Sequence, residues 1–163
     1  MPSFVYILLG SNQGNAIKNL KTAASLLEEK YGNIIQYSSF YRTEAWGNTK
    51  QAAFLNQVLL LQTKFTPMEC LAINLAIESS MGRIRKEKWE PRVIDIDILY
   101  FNNEIIETPQ LTIPHPQIAN RRFTLIPLAE IAPNLVHPQL GLNSVELLKS
   151  CPDKLEVEKM IIN

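Results

Sequence analysis

The sequence lacks the features that would direct it to a charged polymer, a membrane or an oxidising compartment. Sixteen Lys and Arg residues balance sixteen Asp and Glu residues, so no overall field attracts the chain to nucleic acid. No apolar run approaches membrane-spanning length, and a basic signal-peptide region is missing at the N-terminus. Cys70 and Cys151 belong to no Cys-x-x-Cys or Cys/His cluster, which disfavours structural zinc and disulfide frameworks. We therefore expect a cytoplasmic protein that binds neither nucleic acid nor membrane.

The remaining composition is that of one globular unit. A length of 163 residues with 46% hydrophobic residues suits a single domain over 1–163, and no linker, repeat or low-complexity segment divides it. No obligate protein partner is evident, so we expect a monomer that acts on small molecules.

The predicted elements follow the order strand, helix, strand, strand, helix, strand, and then an appendix. Strands are predicted at 4–9, 34–41, 54–63 and 92–100, short extended pieces at 105–106 and 111–113, and short helices at 123–132 and 144–149. Asn15 is expected to cap the first long helix, and Thr66-Pro67-Met68-Glu69 is a capping box for the second. The predicted buried stripe of the second long helix comprises Met68, Leu71, Ala72 and Leu75. This order predicts an α+β, ferredoxin-like sandwich (βαββαβ) with helices on one face of an antiparallel sheet.

The strand at 92–100 carries two acidic side chains on one face. Its alternation places Ile94, Ile96, Ile98 and Tyr100 on an apolar face and Asp95 and Asp97 on the opposite one. Like charges this close repel each other unless a cation or open water lies beside them. The pattern therefore leaves two interpretations, a solvated sheet surface or a metal site.

A basic loop precedes this strand. It contains Arg83, Arg85, Lys86, Lys88 and Arg92. Arginine forks match phosphate oxygens, and Mg²⁺ prefers one or two carboxylates together with substrate phosphates. The combination favours phosphoryl transfer, in which Asp95 and Asp97 hold Mg²⁺ and the arginines hold a polyphosphate. The alternative is a solvated loop whose charges pair with one another.

Several single residues also permit two interpretations. His115 lies between two prolines, where it is either structural or a phosphate contact beside Asn120-Arg121-Arg122. Trp46 and Trp89 fall in predicted loops, where each either anchors its loop or stacks on a flat heteroaromatic ligand. Glu78 lies near a helix end and needs a partner or a ligand. An RNA-binding module and a metal-dependent nuclease remain alternatives, although the net charge of zero disfavours RNA.

The motif Trp89-Glu-Pro91-Arg92-Val-Ile-Asp95-Ile-Asp97, preceded by Arg83-Ile-Arg85, resembles the signature of the 6-hydroxymethyl-7,8-dihydropterin pyrophosphokinases of folate biosynthesis. The resemblance extends across nearly the whole chain, and only the tail after about Leu148 carries nothing diagnostic. It includes Gly10-Ser11-Asn12, Phe54-Leu55-Asn56, Pro114-His115 and Asn120-Arg121-Arg122-Phe123. It implies an ATP- and Mg²⁺-dependent transfer of the β,γ-diphosphate of ATP to the hydroxymethyl group of the pterin, with release of AMP, on a ferredoxin-like fold.

The resemblance also implies roles for individual residues. Asp95 and Asp97 would bridge two Mg²⁺ ions, and Arg83 and Arg92 would assist the transfer. The positions matching ATP-binding residues are Glu78, Arg83, Arg85, Trp89, Arg92, Ile98, Thr112, His115 and Arg121. The positions matching pterin-binding residues are Thr43, Glu44, Trp46, Phe54, Asn56, Trp89, Asp95 and Phe123, with Phe123 stacking on the pterin ring.

Overall fold

The computed structural model describes residues 1–44, 52–82 and 93–162. Its strands are β1 (Ser3–Ser11), β2 (Ile34–Tyr37), β3 (Tyr41–Thr43), β4 (Phe54–Thr63), β5 (Asp95–Phe101), β6 (Ile106–Glu107), β7 (Thr112–Ile113) and β8 (Val157–Lys159). Its α-helices are α1 (Ala16–Tyr31), α2 (Pro67–Ser80), α3 (Arg122–Ile131) and α4 (Ser144–Ser150), and a 3-10 helix spans Ile118–Asn120. In these described ranges no helix is both long and apolar enough to cross a bilayer.

A six-stranded antiparallel sheet organises the chain. Its strands follow the order β5-β1-β4-β3-β8, and β2 also pairs with β4 beyond the end of β3. β1 and β4 pair along their whole common length, from Ser3 opposite Thr63 to Ser11 opposite Leu55. β6 and β7 form a separate two-stranded hairpin, as expected from the two short extended pieces. The antiparallel sheet and its helices confirm the predicted mixed class.

Both faces of the sheet are covered, whereas the sequence predicted helices on one face. One core contains Ile7, Leu9 and Leu61 of the sheet together with residues of α1 and α2, such as Leu20 and Ile77. The second core lies on the opposite face, where Leu8, Val58 and Leu99 pack with residues of α3 and α4, such as Leu125 and Leu147. The predicted appendix therefore supplies a second helical layer, because its short helices have apolar sides of their own to bury.

The helix-start signals are confirmed. Asn15 Oδ1 accepts the Lys18 amide at 3.1 Å, and Thr66 and Glu69 form both hydrogen bonds of the predicted capping box. The stripe predicted for α2 is wrong, because Met68 and Leu75 are 47% and 51% exposed. The buried side is formed by Cys70, Asn74, Ile77 and Glu78. α2 carries apolar side chains on all of its sides, so its own pattern does not select the buried side. Contacts with the rest of the chain select it, among them the hydrogen bond that Asn74 Oδ1 accepts from the Tyr31 hydroxyl at 2.7 Å.

The predicted strand at 34–41 is divided into β2 and β3. Ser38 interrupts the ladder because its hydroxyl, instead of a main-chain carbonyl, accepts the Val58 amide at 2.9 Å. The Ser38 carbonyl is then free to accept the Gln57 side-chain amide at 3.0 Å. This break turns the chain so that β3 starts afresh at Tyr41 beside the first half of β4.

The predicted alternation of the strand at 92–100 fails at its end. Ile94, Ile96 and Ile98 lie in the first core as expected, but Tyr100 lies in the second core together with Leu99. Tyr6 pairs with Tyr100 while the next residue, Ile7, pairs with Ile98, so the register shifts by one residue. Such an extra residue exchanges the faces of the side chains that follow it, which explains why period-two alternation placed Tyr100 wrongly.

Candidate active site

One cross-strand row of the sheet joins the two ends of the candidate site. Gly10 of β1 is directly opposite Asp95 of β5 on one side and Asn56 of β4 on the other. Directly opposed residues of an antiparallel sheet present their side chains to the same face, so Asp95 and Asn56 share the face that carries the second core. The spacing of neighbouring strands puts them about 10 Å apart, with a residue lacking a side chain between them.

The Asn56 amide occupies the space that a side chain at Gly10 would need. A Cβ atom added to Gly10 would lie 2.8 Å from Asn56 Nδ2 and 3.9 Å from Phe54 Cδ1. The strand predicted at 4–9 stops before Gly10, whereas β1 continues through Ser11. Gly10 is therefore a functional candidate that the predicted strand end concealed, because glycine inside a strand marks a close approach.

Asn56 and Thr43 present buried polar atoms to this face. Asn56 is 4% exposed, and its Nδ2 donates to the Leu9 carbonyl at 3.2 Å. Thr43, in β3, is 2% exposed and lies opposite Phe54. Within the described ranges, neither Asn56 Oδ1 nor Thr43 Oγ1 has a hydrogen-bond partner. A buried acceptor without a partner is costly, so these two oxygens fit a ligand that brings N–H groups.

Asp95 and Asp97 are half-buried on the same face. Asp97 lies opposite Leu8, a residue of the second core. Burial lowers the pKa of the Arg121 guanidinium, and the carboxylates of Asp97 and Asp95 oppose this shift, so the cation lies within their field. The pair is therefore not a fully solvated surface, and its oxygens suit a hard cation such as Mg²⁺.

Arg121, Phe123 and His115 come from the segment that covers this face. The Arg121 guanidinium carbon lies 5.5 Å from the centroid of the Phe123 ring. His115 is held by its amide, which donates to the Leu99 carbonyl at 2.9 Å, and by Nδ1, which accepts the Gln117 amide at 3.1 Å. Burial, and secondly the charge of Arg121, lowers the pKa of His115 to about 4. His115 is therefore a neutral imidazole at physiological pH, and with Nδ1 acting as an acceptor its Nε2–H can donate a hydrogen bond.

Three positions expected at the ATP site lie in different settings. Glu78 is 6% exposed, and its Oε2 accepts the Ile96 amide at 2.8 Å, so it supports the strand that carries both aspartates. The Ile98 side chain is 5% exposed in the first core, so only its main chain remains for a nucleotide. Thr112 is exposed in the β6–β7 hairpin.

The remaining predicted site residues are divided by the described ranges. Glu44 is described, and its carboxylate is 3.2 Å from Arg42 on an exposed surface. The residues Trp46, Arg83, Arg85, Trp89 and Arg92 lie outside the described residues.

Comparison with known proteins places the sequence in one enzyme family. The sequence model of the family described as 7,8-dihydro-6-hydroxymethylpterin-pyrophosphokinase (HPPK) matches residues 6–133. The chain is 43% identical over 132 residues to the 2-amino-4-hydroxy-6-hydroxymethyldihydropteridine pyrophosphokinase of Bacillus subtilis (strain 168), covering 80% of this chain and 79% of that protein. It is also 43% identical over 134 residues to the Aquifex aeolicus (strain VF5) protein of that name, covering 82% and 83%.

The fold has solved counterparts. A crystal structure of Plasmodium falciparum HPPK-DHPS aligns with a TM-score of 0.76 at 18% identity, covering 91% of this chain and 45% of that chain. The chain thus spans less than half the length of that two-part protein. The family and relatives' names indicate ATP-dependent pyrophosphoryl transfer to 6-hydroxymethyl-7,8-dihydropterin in folate biosynthesis. The chain belongs to the 7,8-dihydro-6-hydroxymethylpterin-pyrophosphokinase family.

Proposed function

We propose that the sheet face between Asn56 and Asp95 is the active site, with the pterin at the Asn56 end and the metal and phosphates at the Asp95 end. The main support is the buried Asn56 Oδ1, which has no partner among the described residues. It shares a cross-strand row with Asp95, separated only by Gly10. A flat ring bound over Gly10 would have its hydroxymethyl group directed towards the carboxylates.

At the pterin end, Asn56 Oδ1 and Thr43 Oγ1 accept N–H groups of the aminopyrimidinone ring. Phe54 and Phe123 supply aromatic surface, with Phe123 stacking on the ring. We assign Glu44 and Trp46 to the same subsite through their main chain, and Asp95 and Trp89 to its border with the phosphates. Pairing both buried oxygens with ring donors also gives selectivity, since an analogue that lacks these donors would leave them unsatisfied.

At the phosphate end, Asp95 and Asp97 would hold Mg²⁺, and we propose two ions, with ATP oxygens completing each set of ligands. The donor set fits: two half-buried carboxylates lie on one face with a cation beside them. Bound Mg²⁺ would neutralise the β- and γ-phosphate oxygens. Arg121 and neutral His115 would orient the phosphates and nucleotide, together with Thr112, the main chain at Ile98, and Glu78 as the support of β5.

We assign the further phosphate contacts by resemblance. Arg83 and Arg92 would stabilise charge on the migrating group, and Arg85 and Trp89 would bind the nucleotide. Excluding water around the triphosphate favours transfer over hydrolysis.

We propose a single ferredoxin-like catalytic domain over 1–163, because the strand order β5-β1-β4-β3 matches a βαββαβ connection and β8 joins the same sheet. We also propose that the chain acts as a cytoplasmic monomer. Free, buried Cys70 and Cys151 support a reducing compartment.

The test of the reaction is an assay with ATP, Mg²⁺ and 6-hydroxymethyl-7,8-dihydropterin. One AMP should form for each pterin diphosphate, and chelation of Mg²⁺ should stop turnover. Production of ADP, or AMP formation that does not depend on the pterin, would contradict the proposal. For the site, Asn56→Ala should weaken pterin binding and leave nucleotide binding unchanged.

A further inference from the structure

Glu130, near the end of α3, gathers groups from three other parts of the chain. Its Oε1 accepts the Ser39 amide at 2.7 Å and the Tyr41 hydroxyl at 3.1 Å. Its Oε2 accepts the Ser39 hydroxyl at 2.7 Å and lies 3.5 Å from Lys159 Nζ. A carboxylate offers about four lone-pair sites, so Glu130 uses its full capacity. The four contacts join α3 to the turn before β3, to β3 itself and to β8.

The ionisation state of Glu130 strengthens these four contacts. Burial by itself would raise the pKa of Glu130, but the hydrogen bonds from Ser39 and Tyr41 and the charge of Lys159 hold the pKa below its ordinary value. The group is therefore a carboxylate at neutral pH, and hydrogen bonds to a charged acceptor are stronger than neutral ones.

β3 needs such support because it is only three residues long. It is held between β4 and β8, with Tyr41 opposite both Asn56 and Lys159, and with Thr43 opposite both Phe54 and Val157. β3 therefore carries Thr43 into the proposed pterin subsite and lies directly beside Asn56. A shift of β3 would change the distance between the two buried acceptors, Thr43 Oγ1 and Asn56 Oδ1.

β8 lies beyond residue 133, where the family match ends, yet it is firmly attached. The Met160 amide donates to the Phe40 carbonyl at 2.8 Å, one residue before β3. Upstream, Asp153 Oδ2 accepts the Arg122 amide at 3.0 Å, and Arg122 Nε donates to the Leu155 carbonyl at 3.1 Å. The C-terminal segment is thus tied at one end to the start of α3 and at the other to β3.

We propose that Glu130 is a positioning residue for the pterin substrate, which acts by clamping β3 between β4 and the C-terminal strand β8. It touches neither substrate nor metal in this assignment, and its effect reaches the pterin through Thr43 and Asn56. The inference rests on the proposed pterin subsite. It gives the C-terminal strand a role in substrate affinity that the family match does not cover.

The first test is Glu130→Gln in the full-length chain. Glutamine keeps the shape but removes the charge and replaces one acceptor with a donor that faces other donors. The pterin Kd, measured by fluorescence titration, and the pterin KM should rise about tenfold, as expected for displaced binding groups. The KM for ATP should stay within about twofold, because β5 lies at the opposite edge of the sheet from β8, and His115 is held by Leu99 and Gln117, outside the clamp. An unchanged pterin Kd, or an equal loss of pterin and ATP affinity, would overturn the proposal.

The second test breaks the clamp from its other side. Met160→Pro removes the amide that donates to the Phe40 carbonyl, whereas the matched control Met160→Ala keeps it and removes only side-chain contacts. The proline variant should raise the pterin Kd and the alanine variant should not, at equal fold by circular dichroism. Equal effects of the two would contradict a clamp that acts through β3.

Asn56→Ala serves as the reference for the subsite itself. Weaker pterin binding in Asn56→Ala with unchanged binding in Glu130→Gln and Met160→Pro would reject the clamp and leave the proposed subsite intact. Unchanged binding in Asn56→Ala would reject the subsite, independently of the clamp.

Discussion

Asp95 and Asn56 lie at the two ends of one cross-strand row, each directly opposite Gly10. The row places an acidic side chain and a buried amide on the same face of the sheet, with a gap where a third side chain would stand. The metal and pterin ends of the proposed site are thus fixed relative to each other by β-sheet pairing instead of by loops. A rigid sheet is suited to holding two substrates at a set distance.

Filling the gap should impair pterin binding. In Gly10→Ala, the new Cβ would meet Asn56 Nδ2 at 2.8 Å and displace the amide. We expect kcat/KM for the pterin to fall by about tenfold to a hundredfold, because small misplacements of binding groups are costly. Isothermal titration with the pterin, together with steady-state kinetics, measures this effect.

Gly141→Ala is the matched control for that change. Gly141 has φ +71 with nothing within 4 Å of an added Cβ, so alanine there should lower thermal stability without affecting the site. Wild-type pterin affinity in Gly10→Ala would contradict the proposed position of the ring.

Removing one charge of the acidic pair should remove most of the turnover that Mg²⁺ supports. For Asp97→Asn we expect kcat to fall by about a hundredfold to a thousandfold with the fold retained, since the loss is electrostatic. Asp153→Asn is the comparison, because Asp153 is a buried carboxylate that accepts the Arg122 and Leu155 amides away from the sheet row. It should lower the melting temperature while leaving the Mg²⁺ titration of activity unchanged. Equal Mg²⁺ titrations of Asp97→Asn and the wild type would count against the metal assignment.

The low pKa of His115 predicts an acid-sensitive stability. Folded His115 has a pKa of about 4, below its ordinary value of 6.5. As pH falls from 6.5 to 4, the unfolded chain takes up this proton and the folded chain does not, so stability is lost across that window. Between pH 7.5 and pH 4.5 the free energy of unfolding should therefore fall by about 1–3 kcal/mol less in His115→Gln than in the wild type, since one pKa unit corresponds to about 1.4 kcal/mol. Urea unfolding at pH 7.5 and pH 4.5 measures the difference, and parallel losses in both proteins would contradict it.

The corrected buried side of α2 makes a simple stability prediction. Met68→Gln and Leu75→Gln should each change the free energy of unfolding by less than about 0.5 kcal/mol, because both side chains are largely exposed. Ile77→Ala should cost about 2–4 kcal/mol, because Ile77 is 4% exposed in the first core. The reverse ranking in chemical denaturation would restore the stripe predicted from the sequence.

Much of the fold could be predicted because its signals are local. The side-chain oxygens of Asn15 and Thr66 accept hydrogen bonds from amides only three residues further along the chain. β4 has the predicted bounds because its residues favour strands. The buried side of α2, the face of Tyr100 and the strand β8 could not be predicted. They depend on Asn74 meeting Tyr31, on a one-residue register shift against β1, and on Glu130 meeting Lys159, which are all long-range contacts.

The sequence by itself determined that Asp95 and Asp97 share one face of a strand, because side chains alternate along any β-strand. It also carried the motif that indicates the family. Only the tertiary structure decided what lies across from that pair: Gly10 as a gap, Asn56 beyond it, and Arg121 brought over the face by the segment leading into α3. The physical reason is that the strands pair in the order β5-β1-β4, so Gly10 meets Asn56, 46 positions away, and Asp95, 85 positions away, only when the sheet forms.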